Sequence, residues 1–199
     1  MLGDSIRMGV ATDTDPNGYL CGYETYVKEA LAGRTEVFGP EDNVRFTIYT
    51  LRQLHDWAQE FGIGTDIDVV HWNNGLWDAL CIRGDEPLVP LEIYRAYLPR
   101  VLHRIRALFP NAKVIFALTT PSAEEKASPE FIRYNKDIDA YNAAAIEVLE
   151  PLGVTINDLN TPAREIQKTY ALDAVHYQPE GAKLLSAYVV SAIEKALAE

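Results

Sequence analysis

The stretch Lys113-Val114-Ile115-Phe116-Ala117-Leu118 decides the fold class of this chain. Every residue after Lys113 is apolar, which is typical of a strand buried on both faces of a parallel sheet. A long amphipathic pattern precedes the stretch, predicts a helix over 91–109 and ends at Pro110-Asn111. A helix followed closely by a doubly buried strand indicates a βαβ unit.

Outward from this unit, helical and strand-like patterns alternate along the chain. Further helices are predicted over 23–32, 47–61, 129–149 and 179–197, and β-prone runs over 67–72 and 154–156. This alternation predicts an α/β fold in which a parallel sheet lies between layers of helices. In such sheets the reactive site lies at the carboxyl ends of the strands, and that rule directs the search for chemistry.

The bulk properties favour one globular domain over residues 1–199. The chain has 199 residues, 48% of them hydrophobic, and a net charge of −11 spread along its length. Such a surface repels phosphate backbones, so no nucleic-acid partner is expected. No apolar run approaches the roughly 20 residues that span a bilayer, so no membrane insertion is expected. The sequence leaves the oligomeric state open.

Two cysteines, Cys21 and Cys81, lack the spacing of a disulfide framework or a zinc site, and no metal site is predicted. The start of the chain is unusual, because Met1 stands only two residues before the motif Gly3-Asp4-Ser5. An α/β fold normally places a central strand there, so the first strand is expected to be truncated or absent, or the true start to lie upstream. The chain as it stands indicates a cytoplasmic protein; an upstream start would allow a secreted or periplasmic one.

The first candidate for chemistry is Leu2-Gly3-Asp4-Ser5-Ile6. A serine in a tight turn before a helix can expose its hydroxyl and direct its own N–H toward a substrate. The same residues also form an ordinary turn followed by a helix cap. Taken alone, the motif leaves both interpretations open.

The second candidate is Asp173-Ala174-Val175-His176, just before the last predicted helix. An aspartate three residues before a histidine can orient the imidazole, which then serves as a general base toward a serine elsewhere in the chain. The alternative is a helix cap beside a partly buried histidine. Again the motif alone does not decide.

Together, and in this order, the two motifs resemble those of the GDSL/SGNH hydrolases. The similarity extends over nearly the whole chain and includes the Pro179-Glu180-Gly181 start of the last helix. It implies a three-layer, flavodoxin-like α/β/α fold. It also implies hydrolysis of esters or thioesters through an acyl-serine, without metal or organic cofactor, by a triad of Ser5, Asp173 and His176.

The family's oxyanion asparagine normally stands in a Gly-x-Asn-Asp block, which this chain alters. The segment reads His71-Trp72-Asn73-Asn74-Gly75-Leu76-Trp77-Asp78, and alignment on Gly75 and Asp78 places Trp77 at the asparagine position. The segment resembles an Asn-Asn-Gly-Leu-Trp/His-Asp variant of the superfamily. Asn74 or Asn73 then replaces the missing donor, and Asn74 is favoured; the alternative is that both asparagines only satisfy a turn.

The remaining oxyanion donors would be backbone N–H groups. Ser5 supplies one, and Arg45 in Asn43-Val44-Arg45-Phe46-Thr47 stands where the family offers a glycine N–H. The N–H survives this replacement, but a glycine there could have used a positive φ, which an arginine adopts less readily. The loop conformation at Arg45 is therefore the open question.

Aromatic residues near the motifs suggest the substrate. Trp72, Trp77 and Tyr177 are candidates for contact with a sugar ring, although packing in the core explains them equally well. His71 is interpreted as a hydrogen-bonded residue behind the site rather than the base. The predicted function is hydrolysis of small acyl esters, in particular acetyl esters, and acetylated carbohydrates are one candidate class of substrate. The alternatives are a thioesterase or lysophospholipase with the same triad, and a non-catalytic binding protein that retains the fold.

Overall fold

The computed structural model describes residues 1–11, 18–61 and 66–199 of the chain. Its helices are α1 (Ser5–Met8), α2 (Tyr23–Leu31), α3 (Thr47–Glu60), α4 (Leu91–Leu108), α5 (Asn135–Leu149), α6 (Asn160–Tyr170) and α7 (Pro179–Ala198). Its strands are β1 (Gly9–Ala11), β2 (Tyr19–Cys21), β3 (Val69–Trp72), β4 (Cys81–Ile82), β5 (Lys113–Ala117), β6 (Phe131–Ile132) and β7 (Thr155–Asn157). The alternation that the sequence predicts is therefore present.

The centre of the described residues is a parallel sheet of β3, β5 and β7, in which β5 is the middle strand. Val70 pairs with Val114 on one side of β5, and Phe116 pairs with Ile156 on the other. From Val114 onward the residues of β5 are buried, which explains the continuous apolar run in its sequence. Strands in this arrangement end together, so the segments that follow them meet at one edge of the sheet.

Helices cover both faces of this sheet. On one face α7 packs against β3, β5 and β7 and also against α2 and α6. On the other, α4 packs between α3 and α5, with Leu98, Val101 and Ile105 fully buried at intervals of three or four residues. The prediction of a three-layer α/β/α fold is confirmed.

Three local features differ from the sequence prediction. The helix predicted over 129–149 begins only at Asn135, because Phe131 and Ile132 form β6 and pair in antiparallel fashion with β4. Helix α6 was not predicted; its buried face is narrow and consists of Asn160 and Ala163. The antiparallel pairing of β1 with β2 was also not predicted, because each strand has only three residues.

At the edge of β3, one residue of extended chain leads into the Gly3-Asp4-Ser5 motif. The N–H of Leu2 donates to the carbonyl of His71 at 2.8 Å, and the carbonyl of Leu2 accepts from the N–H of Asn73 at 2.9 Å. This bridge, formed where the sequence predicts a shortened strand, fixes the motif at the carboxyl end of β3. A cavity of about 370 Å³ lies along the same edge, lined among others by Met1, Phe38 and Val69, and it does not adjoin Ser5 or His176.

No helix within the described ranges is both long and apolar enough to cross a bilayer. Cys21 and Cys81 are free thiols.

Candidate active site

Ser5 is the first residue of α1, and its surroundings hold it in a tight turn. Asp4 caps the helix: its Oδ1 accepts the N–H of Ile6 at 2.9 Å. Arg7, buried under the turn, donates from Nε to the carbonyl of Gly3 at 3.1 Å and forms an ion pair with Glu24. Among the described residues no acceptor takes the N–H of Ser5, so this donor is available to a ligand.

Ser5, His176 and Asp173 form one chain of hydrogen bonds. Ser5 Oγ lies 2.7 Å from His176 Nε2, and His176 Nδ1 lies 2.7 Å from Asp173 Oδ2. The other oxygen of Asp173, Oδ1, accepts the backbone N–H groups of Val175 and His176, each at 2.8 Å. The three residues predicted from the two motifs are thus brought together, although 171 positions separate Ser5 from His176.

The electrostatics of the hydrogen-bonded residues Ser5, His176 and Asp173 suit proton transfer from the serine. Burial raises the pKa of Asp173, but the hydrogen bonds from the His176 ring and from the two backbone N–H groups outweigh it and hold that pKa well below its usual range. Asp173 is therefore a carboxylate that accepts a hydrogen bond from the N–H at Nδ1. The opposite nitrogen, Nε2, is then free to accept the proton of Ser5.

The structure corrects the sequence-based preference for Asn74 as the oxyanion donor. The side-chain nitrogen of Asn74 donates to the carbonyl of Arg45 and to Oγ1 of Thr50, both at 2.9 Å, and its Oδ1 accepts from Trp72 Nε1 at 2.6 Å. Asn74 is 1% exposed. Its amide fixes the loop before α3 and has no hydrogen left for a substrate.

Asn73 has the free donor that Asn74 lacks. It is the first residue after β3, level with Gly3, and its side-chain nitrogen donates one hydrogen to the carbonyl of Ala117 at 2.8 Å. The second amide hydrogen has no acceptor in the described part of the chain. Asn73 also adjoins a small cavity that Asp4 and Ile6 line beside the nucleophile turn. Of the two asparagines, Asn73 is the one that can donate to an oxyanion.

Arg45 does not offer the free N–H that the sequence suggested. Its N–H donates to Asn43 Oδ1 at 2.9 Å, and its guanidinium lies over the ring of Tyr49 at 4.9 Å. Its φ is +50°, so the arginine does occupy the left-handed conformation that a glycine would adopt more readily. This segment closes the loop before α3 instead of supplying an oxyanion donor.

The aromatic candidates separate into core and site residues. Trp72 is fully buried and packs edge-on against Phe116, with ring centroids 4.8 Å apart, so its predicted substrate contact is wrong. Tyr177 is buried, but it lines a depression of about 10 Å³ together with Ser5 and His176. Trp77 is partly exposed and lies under the guanidinium of Arg133.

Two buried charged residues near these loops escaped the sequence analysis as functional candidates, Arg133 and Asp78. No motif marks Arg133, and Asp78 is marked only as the last residue of the altered Gly-x-Asn-Asp block; the environment of each depends on contacts between distant segments. His71, in contrast, behaves as predicted: it is buried behind the site, with Nε2 3.2 Å from Asn157 Nδ2, and burial lowers its pKa to about 3. Within the described ranges no cluster of three or more His, Cys, Asp or Glu residues could hold a metal ion.

Asp78 gives folding a specific dependence on pH. The residue is completely buried, and its Oδ1 accepts the N–H of Thr47 at 2.9 Å, at the start of α3. Burial raises its pKa from the ordinary 3.8 to about 7, despite the opposing hydrogen bonds. Because the folded state holds this proton more tightly than the unfolded state, its stabilising contribution is complete below about pH 4 and decreases as the pH rises through 7.

Replacing Asp78 with asparagine is expected to flatten this dependence between pH 5 and 8. Asparagine keeps the oxygen that accepts from Thr47 but cannot ionise, so a slope of up to about 1.4 kcal/mol per pH unit disappears. Urea unfolding at several pH values measures the change. Asp158→Asn is the matched control, because the exposed Asp158 also accepts a backbone N–H, from Thr161 at 2.9 Å. An undiminished slope in Asp78→Asn would contradict the assignment.

Comparisons with known proteins identify a sequence family and structures with the same fold. The sequence model of the GDSL-like lipase/acylhydrolase family matches residues 1–184. A comparison with curated proteins finds no match.

Several solved structures superpose on almost the entire chain. A lipase/acylhydrolase from Enterococcus faecalis is 22% identical, with a TM-score of 0.73 over 98% of this chain and 93% of that chain. The acetyl xylan esterase AlAXEase is 17% identical, with a TM-score of 0.71 over 96% and 97%. A carbohydrate acetylesterase family member from Sinorhizobium meliloti is 14% identical, with a TM-score of 0.73 over 99% and 97%. At these identities the similarity establishes a shared fold.

Proposed function

Because the chain belongs to the GDSL-like lipase/acylhydrolase family and is therefore a carboxylic ester hydrolase, we propose that it cleaves small acyl esters through an acyl-serine on Ser5. The observation that carries this proposal is the chain of hydrogen bonds Ser5–His176–Asp173, with both distances at 2.7 Å. A serine, a base and a carboxylate in this order form an activated nucleophile.

In the first half-reaction His176 Nε2 accepts the proton of Ser5 while Oγ attacks the carbonyl carbon of the ester. Asp173 keeps the proton on Nδ1 and stabilises the imidazolium that results. The N–H of Ser5 and the side-chain amide of Asn73 donate to the oxyanion of the tetrahedral intermediate. When the intermediate collapses, the C–O bond to the alcohol breaks and His176 returns its proton to that alcohol.

The second half-reaction repeats these steps with water. His176 removes a proton from the water, whose oxygen attacks the acyl-serine carbonyl. The second tetrahedral intermediate releases the carboxylic acid and restores the Ser5 hydroxyl with the proton held by His176. No further reactant is needed, which fits a substrate that is a simple ester.

The space beside the nucleophile favours a short acyl group. The depression that adjoins Ser5 and His176 has a volume of about 10 Å³ and is lined by Ile6, Leu20 and Tyr177 among others. This is about the space of one water molecule, so an acetyl group requires much less widening of the depression than a long acyl chain does. Two of the structures with the same fold are an acetyl xylan esterase and a carbohydrate acetylesterase, which supports acetylated carbohydrates as the first substrates to test.

A series of p-nitrophenyl esters from acetate to octanoate tests the acyl preference. We expect acetate and propionate to be cleaved well and kcat/KM to fall steeply by octanoate, since the walls beside Ser5 are buried and closely packed. Ser5→Ala supplies the blank rate. A flat or rising profile would contradict the acetyl preference and support a thioesterase or lysophospholipase. No hydrolysis of any ester above the blank would support a binding protein.

A further inference from the structure

Arg133 is a buried cation without a carboxylate partner. Within the described ranges two arginines are buried, Arg7 and Arg133. Arg7 forms an ion pair with Glu24, as a buried guanidinium normally requires. Arg133 is 9% exposed, and its single hydrogen bond runs from Nε to the carbonyl of Leu76 at 2.6 Å.

The two terminal amino groups of Arg133 are the unused part of the side chain. They have no hydrogen-bond acceptor in the parts of the chain that the structure describes. Neither of the two nitrogen atoms is fully enclosed by protein. They therefore retain contact with solvent at the mouth of the burial site. The guanidinium carbon lies 5.6 Å from the centre of the Trp77 ring, a cation–π contact that places the group against that loop.

The position of Arg133 places this cation near the triad. Leu76 and Trp77, which hold the guanidinium, follow Asn73 within four residues at the carboxyl end of β3. Burial lowers the pKa of Arg133, and the nearby carboxylates of Asp4 and Asp173 oppose that effect. Asp4 adjoins the nucleophile and Asp173 is the acid of the proposed triad, so Arg133 lies within electrostatic range of the reaction centre as well as on the loop that follows Asn73.

We infer that Arg133 binds a carboxylate on the substrate, so that the enzyme prefers acyl esters that carry a negative charge close to the ester group. The inference rests on the proposed esterase function and specifies its substrate class: acetyl esters of acidic molecules, such as an acetylated uronic acid. Two amino groups of one guanidinium donate in parallel to the two oxygens of a carboxylate, which is the geometry for which arginine is best suited.

The charge of the whole chain strengthens this inference. A net charge of −11 repels anions, so an acidic substrate binds only where a local cation compensates. Burying a guanidinium without a carboxylate costs folding free energy. A ligand that supplies the missing charge explains why an unpaired guanidinium lies here, whereas most other arginines of the chain form ion pairs with acidic side chains.

Two pairs of matched esters test the inference. The acids 3-acetoxybenzoate and 4-acetoxybenzoate are compared with the corresponding neutral acetoxybenzamides, which share the acetyl group and have similar leaving groups. We expect the protein to prefer at least one acid over its amide by about 10- to 100-fold in kcat/KM, the range expected for charge-assisted hydrogen bonds. In Arg133→Met this preference should fall to about 1, chiefly through KM, and in Arg133→Lys it should be partly retained.

Arg100→Met is the matched control, because Arg100 also lies over an aromatic ring, that of Tyr97 at 4.5 Å, but is exposed on α4. It should leave the preference as it is. Equal rates for acids and amides in the unmodified protein would overturn the inference. So would an equal loss for both in Arg133→Met, since that result would assign Arg133 to the oxyanion or to folding.

A binding measurement separates this inference from the proposed function. Calorimetry with 4-hydroxybenzoate and 3-hydroxybenzoate, the products of the two acids, requires no turnover. We expect at least one of them to bind to the Ser5→Ala protein and to bind at least tenfold more weakly when Arg133→Met is added. If no ester is hydrolysed but this difference holds, the proposed function fails and the carboxylate site stands. If esters are hydrolysed but neither product depends on Arg133, the carboxylate site fails alone.

Discussion

Replacing Ser5 with alanine is expected to lower kcat for p-nitrophenyl acetate by about 10⁴- to 10⁶-fold. The loss is this large because the hydroxyl that His176 activates is the atom that forms the acyl intermediate, and no other group can substitute for it. The fold should persist, since the Ser5 hydroxyl donates to or accepts from no other described residue. Steady-state kinetics together with a thermal unfolding curve measure both effects.

The matched control for this variant is Ser191→Ala, in which an exposed serine of α7 is changed in the same way. It should retain full activity. A Ser5→Ala protein that hydrolyses the ester within tenfold of the normal rate would show that water attacks directly, or that another nucleophile carries the reaction.

The second large effect separates the two neighbouring asparagines. Asn73→Ala is expected to lower kcat by about 100- to 1,000-fold, because it removes one oxyanion donor. Its cost in stability should be only about 1 kcal/mol, for the loss of the hydrogen bond to Ala117. Asn74→Ala should instead lower the free energy of unfolding by about 3 kcal/mol, since it removes hydrogen bonds to Arg45, Thr50 and Trp72 and leaves the buried N–H of Trp72 without a partner.

Measuring kcat and urea unfolding for both variants gives each residue two independent readouts. The account predicts a catalytic defect without a large folding defect for Asn73, and a folding defect for Asn74. If Asn74→Ala folds normally and loses turnover while Asn73→Ala remains fully active, the assignment of the oxyanion donor is reversed.

The sequence predicts the sheet well because its strands carry strong local signals. The run Val114 to Leu118 is apolar throughout, and β3 and β7 are short β-prone segments at the predicted places. The pairing of Phe131 and Ile132 with β4 could not be predicted in the same way. Two-residue strands have no periodicity, and only the contact with Cys81 and Ile82 gives them their conformation.

The candidate site also combines residues that the sequence predicts with residues whose roles depend on distant contacts. Ser5, Asp173 and His176 carry recognisable spacings, and the structure brings them together. The choice between Asn73 and Asn74 could not be made from spacing, because adjacent residues at the end of a strand point to opposite sides. Which side faces Ser5 depends on the bridge between Leu2 and Trp72, a contact between distant parts of the chain.

Arg133 could not be predicted from the sequence for a different reason: what distinguishes it is the lack of a carboxylate partner in the described ranges, which only the structure shows. Its sequence context contains no motif, and a single arginine in a charged chain is unremarkable by itself. The residue stands out only when the structure shows that it is buried, that Leu76 accepts its Nε hydrogen and that no carboxylate lies within ion-pair distance among the described residues.

The most direct test of the central claim is intact-mass spectrometry after reaction with a fluorophosphonate, followed by peptide mapping. The account predicts one adduct per chain, located on Ser5, absent in Ser5→Ala and formed far more slowly in His176→Ala. An adduct on a different serine, or ester hydrolysis that continues after every Ser5 has been labelled by the reagent, would contradict the assignment of Ser5 as the nucleophile.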